Sequence, residues 1–140
     1  MKKTFNILWV CFLYLGICTL AYAQVAAEKN AIEAARGWLE IVDDQDYAES
    51  WKRAAKYFRK TVTKKQWRQA LTAARSPLGK VISRSLKSAQ YTTALPGAPD
   101  GEYVVIQFET TFEKKTNSLE TITPLREKDG NWRVAGYYIK

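Results

Sequence analysis

The chemistry open to this chain is bounded first by what it lacks. It has no histidine, and both cysteines, Cys11 and Cys18, stand within the first 18 of its 140 residues. Metal sites built on imidazole and thiolate, and serine or cysteine triads, are excluded from the rest of the chain. No metal and no cofactor is expected. Carboxylates, tyrosines, lysines and arginines remain. A buried carboxylate beside a tyrosine donor suits proton abstraction next to a carbonyl, and Glu109, Tyr137 and Tyr47 are the residues of those types that strands and helices could aim inward. With Trp51, Gln107 and Arg133 they form the candidate ligand pocket. No catalytic pair emerges from the spacing, so no catalytic residue is assigned.

A second chemistry is electrostatic. From Lys52 to Lys87 there are twelve basic residues and no acid. Lys52, Lys56, Arg59, Lys60, Lys64, Lys65, Arg68 and Arg75 are the candidate anion-binding set. Just before them, Glu28, Glu33, Glu40, Asp43, Asp44, Asp46 and Glu49 face only Lys29 and Arg36. Such a block suits phospholipid headgroups, envelope polymers or an acidic partner. No nucleic-acid motif accompanies it, and nucleic acid is not an expected partner. Ordinary amphipathic helices with solvated outer faces would account for the same block.

These residues need elements to position them. Met1–Ala23 has the plan of a secretory leader: Lys2 and Lys3, an apolar run from Phe5 to Leu20, then Ala21-Tyr22-Ala23 with small residues where a signal peptidase reads. Cleavage is expected before Gln24. It removes both cysteines and two charges, taking the formal +8 to +6 over residues 24–140. An uncleaved anchor is disfavoured by the short run, and a lipid anchor at Cys18 by the bulky Ile17 before it. The remaining 117 residues form one domain, exported to the periplasm or beyond, that stands on its apolar core.

Within that domain Ala26–Val42 repeats apolar residues at helical spacing, with Ala31, Ala35, Trp38 and Val42 in line. A second helix is expected over Tyr47–Lys60, burying Tyr47, Trp51, Ala54, Ala55 and Phe58. A third runs from a Thr63/Gln66 capping box to about Ala74. Strands follow over Val81–Thr93, Glu102–Phe112, Ser118–Arg126 and Trp132–Ile139, the last two joined by the hairpin signal Lys128-Asp129-Gly130-Asn131. Glu102–Phe112 is the clearest: Val104, Ile106, Phe108, Thr110 and Phe112 alternate with Tyr103, Val105, Gln107, Glu109 and Thr111. The first of these faces is the more apolar, which turns Gln107 and Glu109 toward solvent. In the last strand Trp132, Val134, Gly136 and Tyr138 alternate against Arg133, Ala135, Tyr137 and Ile139. The aromatic residues at helical and strand spacing read as core, and Tyr91-Thr92-Thr93 with the loop after it as a possible binding edge.

Three helices and a curved four-stranded antiparallel meander make an α+β domain. The helix pair with Trp38 and Trp51, and the hairpin from Asp129 to Tyr137, resemble the nuclear-transport-factor-2-like superfamily. That resemblance implies a cone-shaped fold with a pocket, and a homodimer through the exposed sheet face. A closer resemblance is to the domain of unknown function 4019 family of small secreted bacterial proteins. Trp38-Leu39, Tyr47-Ala48-Glu49-Ser50-Trp51, Gln66-Trp67, Pro77-Leu78-Gly79 and above all Leu95-Pro96-Gly97-Ala98-Pro99-Asp100-Gly101-Glu102-Tyr103 carry it. It implies export and assigns no activity. The expectation is a non-enzymatic domain that binds a small molecule or an envelope protein. A small isomerase- or dehydratase-like enzyme, and a binder of anionic envelope surfaces, are the alternatives. The intact mass of the exported protein is expected to match Gln24–Lys140, whereas a mass that keeps Met1–Ala23 would mean an uncleaved anchor.

Overall fold

The structure, a computed structural model, describes the backbone from residue 8 to 140 and side chains from Leu20 onward. Lys2 and Lys3 of the expected leader, and the side chains of Cys11 and Cys18, lie outside the described residues. Four helices precede the sheet: α1 (Leu8–Asp43), α2 (Tyr47–Arg53), α3 (Lys56–Thr61) and α4 (Lys64–Arg75). Four strands follow: β1 (Val81–Thr92), β2 (Tyr103–Phe112), β3 (Lys115–Arg126) and β4 (Trp132–Ile139). They form one antiparallel meander in the order β1-β2-β3-β4. Among the described residues no helix is long and apolar enough to cross a membrane.

α1 lies across all four strands. Its Ala31, Ala35, Trp38, Leu39 and Val42 are buried against Val104, Ile106 and Phe108 of β2, Ile122 of β3 and Val134 of β4. The alternation of β2 is as expected, with Val104, Ile106, Phe108, Thr110 and Phe112 all buried. Tyr103 is the exception on the other face. It is 1% exposed, because the Pro-Gly connection folds over it and Pro99 O accepts from its hydroxyl at 2.6 Å.

The expected helix over Tyr47–Lys60 is two helices. Ala54 and Ala55 adopt extended backbone, and Ala55 N donates to Val134 O at 2.8 Å. The edge of β4 therefore captures one residue of chain, and two alanines with no bulk let the backbones approach. Thr63 and Gln66 form the expected capping box at the start of α4.

Bulges decide which side chains face the helices. β1 has two register shifts, so its helix-facing residues are Val81, Arg84, Leu86, Ala89 and Tyr91, opposite Phe112, Thr110, Phe108, Ile106 and Val104. In β3–β4, Pro124 pairs with Val134 and Thr123 with Gly136, leaving Ala135 unpaired. A proline has no N–H for the ladder, and a bulge beside it absorbs the missing bond. The extra residue moves Tyr137 onto the face of Trp132 and Val134, where it packs on the core. This corrects the simple alternation of β4, which set Tyr137 on the opposite face.

Gly79 closes the far turn at φ +76°, and a Cβ there would lie 2.6 Å from Glu113 Oε2, which accepts from Lys80 N. Gly79→Ala is therefore expected to cost about 1–3 kcal/mol in urea unfolding.

Candidate functional site

Under the helices, six elements bring charged and polar side chains to one point. Glu120 on β3 is fully buried. It accepts from Arg84 Nε of β1 at 2.6 Å, Thr110 Oγ1 of β2 at 2.6 Å and Tyr137 OH of β4 at 2.6 Å. Arg84 also reaches Asp43 at the end of α1, at 2.7 and 3.0 Å. Arg75 at the end of α4 is 6% exposed, donates to Asp43 at 2.6 Å and to Tyr137 OH at 3.2 Å, and lies over the Phe112 ring. Two carboxylates and two guanidiniums cancel in charge. Burial, and then the negative Glu120, push the Tyr137 phenol well above its usual range. Burial disfavours the charged Arg84, but hydrogen bonds to Asp43 and Glu120 outweigh it and raise its pKa.

On one side of the network aromatic rings pack closely. Trp38, Trp67 and Tyr137 have ring centroids 5.5 to 6.4 Å apart, and Phe58 meets Trp67 edge-on at 5.0 Å. Ser50 joins three helices: its carbonyl accepts from Trp38 Nε1 at 2.8 Å and its hydroxyl from Trp67 Nε1 at 3.0 Å.

The six pocket candidates are not brought together. Tyr137 is in the network, and Tyr47 lines a cavity of about 320 Å³ with Asp43, Arg75 and Gly79 beside it. Glu109 is on the other face of the sheet, exposed and paired with Lys87 at 2.9 Å; Gln107 shares that face with Ser88. Arg133 pairs with Glu127 and Asp129 of the hairpin. Trp51 donates to Val62 O at 2.7 Å and carries Lys64 on its ring. The sheet therefore separates Glu109 from both tyrosines.

The basic block also divides. Lys56, Lys60, Lys64, Lys65 and Arg68 are exposed, and none has a carboxylate partner among the described residues, whereas Lys52 pairs with Glu49. Arg59 is partly buried and donates to Lys52 O. Arg75, expected on the same surface, is inside.

A different set of side chains meets at the hairpin end of the sheet. Tyr91, Glu102, Arg126 and Trp132, from four successive positions across the strands, share the helix-facing side with Ala23, Ala26, Ala27 and Asn30 of α1. They line a recess of about 540 Å³. Tyr91 OH donates to Glu102 at 3.1 Å, and Arg126 reaches the same carboxylate at 3.3 to 3.4 Å.

The family model described as Protein of unknown function (DUF4019) matches residues 34–137. The chain belongs to this family. No curated protein and no solved structure matches it. In this DUF4019 member, Glu120, Arg84 and Asp43 were not legible as partners, because 36 to 41 residues separate Arg84 from each carboxylate. One signal existed: Glu120 shares a face of its strand with Ile122 and Pro124, where a solvated acid is out of place.

Glu120→Gln is expected to cost about 3–5 kcal/mol, since two guanidiniums keep one carboxylate between them. Glu109→Ala, which breaks an exposed pair, should change stability by about 0.5 kcal/mol or less. The raised Tyr137 means that the folded state holds a proton the unfolded chain releases above about pH 10. Its contribution to stability is thus complete below that pH and lost as pH rises beyond it. Urea midpoints should fall between about pH 9 and about pH 11, and the fall should be shallower in Tyr137→Phe.

Proposed function

We propose that this protein is an exported, non-enzymatic binding domain of the nuclear-transport-factor-2-like kind, with a small ligand held in the hairpin-end recess. One contrast carries the reading. In the interior Glu120 is fully buried with three short hydrogen bonds, whereas in the recess Glu102 and Arg126 are 41% and 46% exposed and joined only at 3.3 to 3.4 Å. A saturated carboxylate cannot take a substrate proton, while a loosely paired one has capacity left for a ligand.

Two further features support export and the fold. Leu20 and Tyr22 are 74% and 77% exposed, and the buried stripe of α1 begins at Ala31. Losing Met1–Ala23 would leave the core intact and open one wall of the recess, since Leu20 and Ala23 line it. The bulges of β1 and β4 bend strands of the kind that wrap a helix in that superfamily.

Native mass spectra of the exported protein test this reading: a co-purified small molecule is expected, and Trp132→Ala or Arg126→Ala should weaken its retention tenfold or more. A ligand held equally by both variants would place the site elsewhere. The unpaired cations Lys56, Lys60, Lys64, Lys65 and Arg68 favour a second reading, adhesion to an anionic envelope surface. It requires binding to anionic vesicles that disappears with salt.

A further inference from the structure

Resting on the recess as the ligand site, we infer that its occupant is a sugar, and that an N-acetylated hexose unit fits the lining best. The charge of the lining comes first. Glu102 and Arg126 are its two charged side chains among the described residues, and they cancel, while cleavage before Gln24 would bring one α-ammonium to the rim. A phosphate or carboxylate would meet Glu102, an amine would meet Arg126, and an acyl chain would strand both without water. The ligand that fits is neutral and rich in hydroxyls. Each hydroxyl both donates and accepts, which matches a carboxylate and a guanidinium side by side. Arg126 uses only Nη1 in the pair and has other N–H groups to offer.

The second argument is the ring. Trp38, Trp51 and Trp67 each donate their indole N–H within the protein. Trp132 Nε1 has no partner among the described residues and is not one of the buried polar atoms left unpaired. A half-buried indole with its N–H open to solvent presents an apolar face and a polar tip together. The C–H face of a pyranose packs on such a ring, and Tyr91 supplies a second aromatic wall across the row.

The floor gives the acetamido preference. Ala26 and Ala27 leave room for a methyl group, and the amides of Gln24 and Asn30 beside them can pair with an N-acetyl amide. Glu28 and Lys29 of the same stretch lie outside the lining, where Glu28 Oε1 accepts from Tyr91 N at 3.1 Å.

The experiment is a titration of the exported, ¹⁵N-labelled protein with N-acetylglucosamine, its β-1,4-linked trimer and glucose, following the indole N–H resonances. Trp132→Phe assigns its own signal. The monosaccharide is expected to bind with a dissociation constant on the order of 1 mM and the trimer more tightly. Trp132 should shift while Trp38, Trp51 and Trp67 stay still. Arg126→Ala and Glu102→Gln alter exposed side chains and should each weaken binding tenfold or more. Glucose binding as tightly as N-acetylglucosamine would overturn the acetamido assignment. If no sugar moves Trp132, but native spectra find another compound that Trp132→Ala releases, the sugar inference falls and the recess stands. If nothing binds there at all, both fall.

Discussion

Glu120 is the point on which the rest depends. A carboxylate with no exposed surface is tolerable only when its charge is matched and its lone pairs are occupied. Here matching it takes one group from each of the other three strands, and through Arg84 and Asp43 the end of α1 as well. Arg75 closes the circle from α4. The network therefore sets how the helices seat on the sheet more than it adds net stability, because desolvating four charges offsets much of their attraction. Its contribution lies in register: slide β3 by one residue and Glu120 leaves the face that carries both arginines.

Register is also where sequence reading stopped. The alternation of β2 was plain because that strand is central and regular, and the structure keeps it. β1 looked weakly patterned because two bulges insert residues into an otherwise alternating row. Remove them, and Val81, Arg84, Leu86, Ala89 and Tyr91 form a period-two set. Tyr137, rightly offered as an inward residue, was grouped with Arg133 instead of Val134 for the same reason, with Pro124 on the neighbouring strand as the readable cause. Ala54 and Ala55 continued a helical stripe perfectly well. Only the edge of β4, some 80 residues later, turns them into extended chain.

The run of twelve cations illustrates a different limit. Composition treats Arg75 and Arg84 like Lys60 and Lys65, yet the first two are interior and the others solvated. The physical difference lies in the guanidinium, a planar and weakly hydrated group that forms forked pairs and tolerates burial better than an ammonium. In this chain each deeply placed cation is an arginine, and the unpaired exposed ones on α3 and α4 are mostly lysines. Residue type thus held part of the answer, and the partners 32 to 41 residues away held the rest.

The two polar clusters meet different stretches of one helix, residues 20–30 and Asp43, and differ in how completely their charges are paired. At its C-terminal end α1 delivers Asp43 to Arg75 and Arg84 at the edge of a packed aromatic core. There, tight and complete pairing is the only arrangement of low energy. Earlier in α1 the recess is lined by alanines and amides, while Glu28 reaches the sheet beside it at Tyr91 N. The strands beneath still carry an acid, a base and two rings, because each lies at a strand terminus where water reaches it. A chain selected only for stability would fill that gap with leucine. Leaving it open gives up apolar burial worth about 25 cal/mol for each Å². That loss is understandable if the space is occupied in the working protein by something other than its own side chains.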